Sequence, residues 1–141
     1  MTFAGISYPA VVIAAVLAWL ASAVWYTSLS RMWVAALGKT PQQMRDERGR
    51  LGAFLPFVYA FVADLIIAWM LAGLLGHLGP AQVTLRNGLI SAAFCWFGFV
   101  LTTMAVNYTF AGRDRRLLLL DAGNWLIGLL IIGTVIGIAG A

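Results

Sequence analysis

The chain is 141 residues long, 62% hydrophobic and only 10% charged, whereas soluble domains carry about a quarter of their residues as charges. This composition excludes a water-soluble domain and identifies an integral membrane protein, one domain over residues 1–141. The formal net charge of +4 comes from basic residues in short loops, so it reads as a topology signal and not as a nucleic-acid surface.

Apolar runs of at least about 18 residues predict four spans, from Tyr8 to Tyr26, Phe54 to Gly76, Asn87 to Phe110 and Leu117 to Ala139. The fold class is all-α, an integral membrane bundle of four transmembrane helices with a short cytoplasmic amphipathic segment between the first two. Arg31, Lys39, Arg45, Arg48 and Arg50 lie between spans one and two, Arg113, Arg115 and Arg116 between spans three and four, and only Arg86 elsewhere. Basic loops face the cytoplasm, which places both termini outside. No Lys or Arg precedes Arg31, which argues against a cleaved signal peptide despite the small-residue site Ala21-Ser22-Ala23.

Span one carries Ala10, Ala14, Ala18 and Ser22 at every fourth position and reaches Tyr26 on the same face. Such a ridge lets a neighbour approach closely, and span two is the expected partner. Trp25 and Tyr26 at its inner end read as interfacial anchors. Between spans one and two, Met32, Trp33 and Ala36 share one side of a short helix expected to lie on the membrane surface, stopped by Gly38. Thr40-Pro41-Gln42-Gln43 then has a capping hydroxyl, a first-position proline and a third-position glutamine, so a second short helix begins there. Its continuation from Met44 to Arg50 mixes both charge signs and reads as a solvated face.

Span two has its own small ridge, Ala60, Asp64, Ala68, Ala72 and Gly76. The ridge turns Asp64, a buried midplane acid, toward a neighbouring helix and away from lipid. A neutral acid there donates a structural hydrogen bond or exchanges protons during transport, and both readings stand. Span three follows a Gly79-Pro80 turn. Its Gly88, Ser91, Cys95, Gly98, Thr102 and Ala105 form a seam at heptad spacing that predicts an inner member of the bundle. Cys95 on that seam is a packing residue and, as the single cysteine, forms no internal disulfide.

Span four presents Asp121, Asn124 and Gly128 on one face and Gly133, Gly137 and Gly140 on another, which predicts two different neighbours. Gly133 and Gly137 form a GxxxG pair, a candidate contact between the protomers of a homodimer. Tyr26, Asn107, Tyr108, Asp121 and Asn124 fall at one depth and make a polar inner-leaflet layer. A salt bridge to Arg113, Arg115 or Arg116, or hydrogen bonds from Asn107 or Tyr26, is expected to hold Asp121. Asp64 should lie about 10 Å deeper, too far for a direct acid pair.

One histidine, His77, cannot supply bis-imidazole haem ligation or a zinc site, and neither a phosphate-cradling glycine loop nor a nucleophile motif is present. No metal, cofactor or catalytic residue is therefore expected. Trp25-Tyr26 closing span one, Trp33 and Leu37-Gly38 after it, Asn107-Tyr108 closing span three and Asp121-Ala122-Gly123 opening span four together resemble the bacterial membrane-protein family of domain of unknown function 1761. The resemblance covers nearly the whole chain and implies a small four-helix protein of the bacterial inner membrane without an assigned activity. The expected role is a transporter-like or accessory binding subunit in contact with membrane lipid, its small-molecule ligand unspecified. The alternative is a membrane-embedded enzyme acting on a lipid or quinone-like substrate.

Overall fold

Four helices long and apolar enough to cross a membrane, broken and capped where the sequence places its glycines, threonines and prolines, make up the chain in a computed structural model. It describes residues 5–79 and 81–140, the side chain of Arg50 excepted. Pro80 of the turn signal and the terminal Ala141 lie outside the described residues. Helix α1 is Tyr8–Ser28, α2 Ser30–Ala36, α3 Pro41–His77, α4 Leu85–Cys95, α5 Thr102–Phe110 and α6 Arg115–Ala139, with a π-helical turn, Trp96–Leu101, joining α4 to α5.

Local chemistry sets these boundaries. Gly38, at φ 70°, ends the segment after α2, where its N–H bonds Ala35 O and that of Lys39 reaches back to Val34 O. Thr40 and Gln43 form the expected capping box at the start of α3. Gly49, at φ 59° and ψ −176°, breaks α3 into a short exposed helix, residues 41–48, and the apolar span Leu51–His77. Only glycine adopts that left-handed backbone without strain. Thr84 caps α4 by accepting the Asn87 N–H at 3.2 Å, so the third span opens at Leu85, before the position expected from hydropathy alone.

Asp114 caps α6, its carboxylate accepting the Arg116 N–H at 2.8 Å and pairing with the Arg116 guanidinium at 2.7 Å. The Arg116 side chain holds this exposed carboxyl below its usual range. With the folded value depressed, the cap's contribution is complete above the ordinary aspartate range and is lost as pH falls through the lowered value. Replacing Arg116 with Gln should raise the Asp114 titration midpoint, read from its side-chain carboxyl carbon by NMR.

Helix α6 touches every other element of the bundle. Of the residues in its apolar window 44% are buried, against 6% for the third span, Leu85–Phe110. The seam expected to make span three an inner helix therefore holds only in part. Gly88 is buried and Cys95 half-buried, but Gly98 and Thr102 are exposed. The π-helical turn between them accounts for the loss: its extra residue rotates everything beyond it relative to a straight helix. Thr102 Oγ1 donates to Gly98 O at 2.8 Å, satisfying a carbonyl at this disturbed turn.

The core joins small faces of three helices to large aliphatics of the fourth. Ala14, Ala15 and Ala18 of α1, Ala68, Leu71, Ala72 and Leu75 of α3 and Ala92 of α4 pack with Leu129, Ile132 and Ile136 of α6. The α1 ridge meets span four as well as span two, since a Cβ built on Gly128 lies 3.9 Å from Ala18 Cβ. On the side toward span two, Trp19 donates its indole N–H to Phe57 O at 3.0 Å and stacks edge-on against Phe61.

The two faces of α6 do have two neighbours, and both belong to this chain. A Cβ on Gly133 would stand 2.4 Å from Gly88 O, and one on Gly137 would stand 2.5 Å from Thr84 O. The glycine pair expected to join protomers is thus consumed in packing α4 on α6, because two helix backbones meet there with no room for a side chain. Gly88→Ala, whose new Cβ would lie 2.1 Å from Gly133 O, should lower stability by about 1–3 kcal/mol as an overpacked contact. Gly98→Ala, with open space around it, should change it by less than about 0.5 kcal/mol. Thermal unfolding of the two variants in one detergent checks the contrast.

Candidate functional site

One turn of α6, Leu120 to Ala122, gathers polar contacts from α1, α2, the π-helical turn and α5. Trp25 of α1 donates its indole N–H to Leu120 O at 3.1 Å. Asp121 accepts from Tyr26 Oη at 2.7 Å and Trp33 Nε1 at 3.1 Å on one oxygen, and from Tyr108 Oη at 2.6 Å on the other. Trp96, the first residue of the π-helical turn, donates to Ala122 O at 2.8 Å. Five aromatic donors from α1, α2, the π turn and α5 thus converge on three successive residues.

The local sequence explains why this turn can receive them. Ala122 is only 2% exposed and exposes its carbonyl to Trp96 without a bulky side chain of its own. A Cβ on Gly123 would lie 3.1 and 3.3 Å from ring atoms of Trp25, so glycine lets the indole seat flat on α6. Asp121-Ala122-Gly123 is therefore a receptor for aromatic rings, acceptor first and clearance last. Tyr26 and Trp33 also pack against each other, centroids 5.7 Å apart at 70°. A second apolar cluster of Ala36, Leu117 and Leu120, backed by Leu29, Trp33, Leu37 and Tyr108, adjoins the carboxylate through Trp33 and Tyr108.

Of the expected polar layer, the structure brings together Tyr26, Tyr108 and Asp121. Asn107 is exposed, and its side chain makes no hydrogen bond to Asp121 among the described residues. Asn124 is buried on α6, one turn beyond Asp121. The arginines expected as ionic partners form no salt bridge with Asp121 among the described residues, and Arg116 pairs with Asp114 instead. Trp25 and Tyr26, expected as headgroup anchors, instead form helix-to-helix bonds, because a ring N–H or O–H held inside a bundle finds a protein acceptor there. Helix α2 likewise does more than lie on a surface, since its Trp33 closes over Asp121 and its Ala36 is buried, while Met32 faces outward at 57% exposure.

Trp25, Trp33 and Trp96 are the site residues that the sequence pattern did not assign to Asp121 and its turn. The available signal was chemical: six tryptophans in an apolar chain each bring a donor that a bilayer cannot satisfy. Their acceptors lie up to 95 residues away in sequence, which spacing cannot reveal.

Asp64 stands apart. It is 3% exposed on the face that continues into Ala68 and Ala72, as its ridge predicts. No hydrogen bond or ion pair to its carboxyl forms among the described residues. It lies about 10 Å along α3 from Phe57, and Phe57 is bonded to Trp19, two turns from Tyr26 on α1. The two aspartates are therefore not an acid pair. Two open clefts, one of about 370 Å³ at Gly49 and one of about 360 Å³ between α1 and α6 beside Leu17 and Ile131, are lined by neither Asp121 nor Asp64.

An all-helical bundle with four helices of membrane-crossing length, clasped at one end by a carboxylate, is the architecture of a small multi-pass membrane protein. The chain belongs to the family described as Protein of unknown function (DUF1761), which matches residues 9–137. No curated protein and no solved structure matches it.

Asp121→Asn, which weakens three accepted bonds, should lower stability by about 1–3 kcal/mol. Asp64→Asn, which removes no bond formed among the described residues, should change it by less than about 0.5 kcal/mol. Parallel melting curves of the two variants in the same detergent would decide; equal losses would mean that Asp64 carries a partner comparable to the aromatic donors.

Proposed function

We propose that the chain works as a non-catalytic accessory or binding subunit of the bacterial inner membrane, transporter-like in build, with both termini periplasmic. The observation that carries this reading is the commitment of Asp121: both carboxylate oxygens are occupied by ring donors from three other elements. A general acid or nucleophile needs an oxygen open to substrate, and here the strongest polar group of the basic end is spent on holding helices in register. The orientation rests on the charge asymmetry, eight of nine basic residues lying in the two loops at the clasped end.

Turnover separates this reading from an enzyme. Purified protein in nanodiscs of bacterial lipid extract containing quinones should leave the lipid and quinone profile unchanged over hours, by mass spectrometry. A species consumed by the wild type and spared by Asp121→Asn would overturn the non-catalytic reading. For the orientation, a reporter at the C-terminus should be periplasmic and one inserted beside Gln43 cytoplasmic; reversed labelling of both would refute it.

A further inference from the structure

The break at Gly49 does more than separate a surface helix from a span. It opens the cleft of about 370 Å³ lined by Met44, Arg45, Arg48, Gly49 and Ala53. We propose that this cleft binds the phosphate group of an anionic phospholipid, with the acyl chains running along the exposed start of the second span.

Charge is the first support. Arg45 and Arg48 lie one turn apart on the short helix, and neither pairs with a carboxylate among the described residues. The acids of the same short helix are engaged: Glu47 with Lys39 and Asp46 with the Gln42 amide. Arg45 uses one nitrogen on Gln42 Oε1 at 2.9 Å. Arg48 lies with its guanidinium carbon 5.6 Å from the centroid of the Trp33 ring. Stacking occupies the face of a guanidinium and leaves its N–H edge, which is the part that grips a phosphate in bidentate fashion.

Depth is the second support, and it selects a lipid over a soluble anion. The apolar span begins at Leu51, two residues past the break, and Leu51 and Phe54 are 78% and 73% exposed. Side chains so apolar and so exposed at the end of a span mark where acyl chains begin, which puts the two arginines at the level of the headgroups. Gly49 itself has open space where a Cβ would stand, so the backbone leaves the approach clear. Because Arg48 stacks on Trp33 and Trp33 donates to Asp121, a bound headgroup sits one ring away from the clasp.

Native mass spectrometry of the full chain in a neutral detergent, offered equimolar phosphatidylglycerol and phosphatidylcholine, tests this. The wild type should retain phosphatidylglycerol preferentially, and Arg45→Gln with Arg48→Gln should cut that retention roughly tenfold or more, the effect of removing two basic groups at a membrane surface. Arg45→Lys with Arg48→Lys, which keeps both charges, should preserve a preference for the anionic lipid. Arg113→Gln with Arg115→Gln, outside the cleft, should leave retention as in the wild type. Equal retention of the two lipids by the wild type, or an undiminished preference in the Gln pair, would overturn the proposal. Displacement of the lipid by millimolar inorganic phosphate would assign the cleft to a free anion instead and overturn it equally.

Discussion

The hydrogen bonds that end on Asp121 are the constraint from which the arrangement of this bundle follows. Two tyrosine hydroxyls and one indole, from α1, α5 and α2, meet on one carboxylate, and two further indoles meet the carbonyls on either side of it. Each donor fixes the rotation of its own helix about α6, since a turn of 100° would carry the ring out to lipid. Interhelical hydrogen bonds in membranes average only about 0.6 kcal/mol. By that magnitude the collar sets register and rotation more than it sets total stability, which has to come from close packing elsewhere.

That packing lies in the other half of the bundle and uses the opposite device, the absence of side chains. Where α4 crosses α6, Gly88 and Gly133 meet backbone to backbone, and Gly137 meets Thr84 and Leu85. Alanines of α1 and α3 close on Leu129, Ile132 and Ile136 in the same layer. Lipid tails are as apolar as these side chains, so burial alone offers little gain in a bilayer; dispersion contacts between closely approaching backbones supply it. The third span belongs fully to this half only as far as Cys95. Beyond Cys95 it is held to α6 by Trp96 and Tyr108, while Phe97, Phe99 and Phe110 point outward.

Much of this was legible in the sequence, for reasons that differ by residue. The spans followed from apolar run length, the capping box from Thr40 and Gln43, and the burial of Asp64 from its small-residue ridge, all local patterns with fixed periods. Tyr26, Tyr108 and Asp121 were brought to one depth by topology alone. Of the donors to Asp121, Tyr26 was legible, whereas Trp33 was not, because it carries the pattern of a surface helix and its acceptor is 88 residues away. The seam of span three misled because a period assumes an unbroken helix, and nothing in Trp96 to Leu101 announces the π-helical turn. Gly133 and Gly137 were correctly read as a close contact but assigned to the wrong partner, since a small-residue motif specifies approach distance and not which helix approaches.

If the carboxylate holds the helices as described, Tyr26 and Asp121 must be energetically coupled. A double-mutant cycle of Tyr26→Phe and Asp121→Asn, followed by reversible unfolding in mixed micelles, measures that coupling without counting the effects each substitution has alone. A coupling of about 0.5–1.5 kcal/mol is expected for a bond of 2.7 Å to a carboxylate inside a bundle. Strictly additive losses, with no coupling beyond error, would contradict the account and leave Asp121 as a bystander in a bundle held by its glycines.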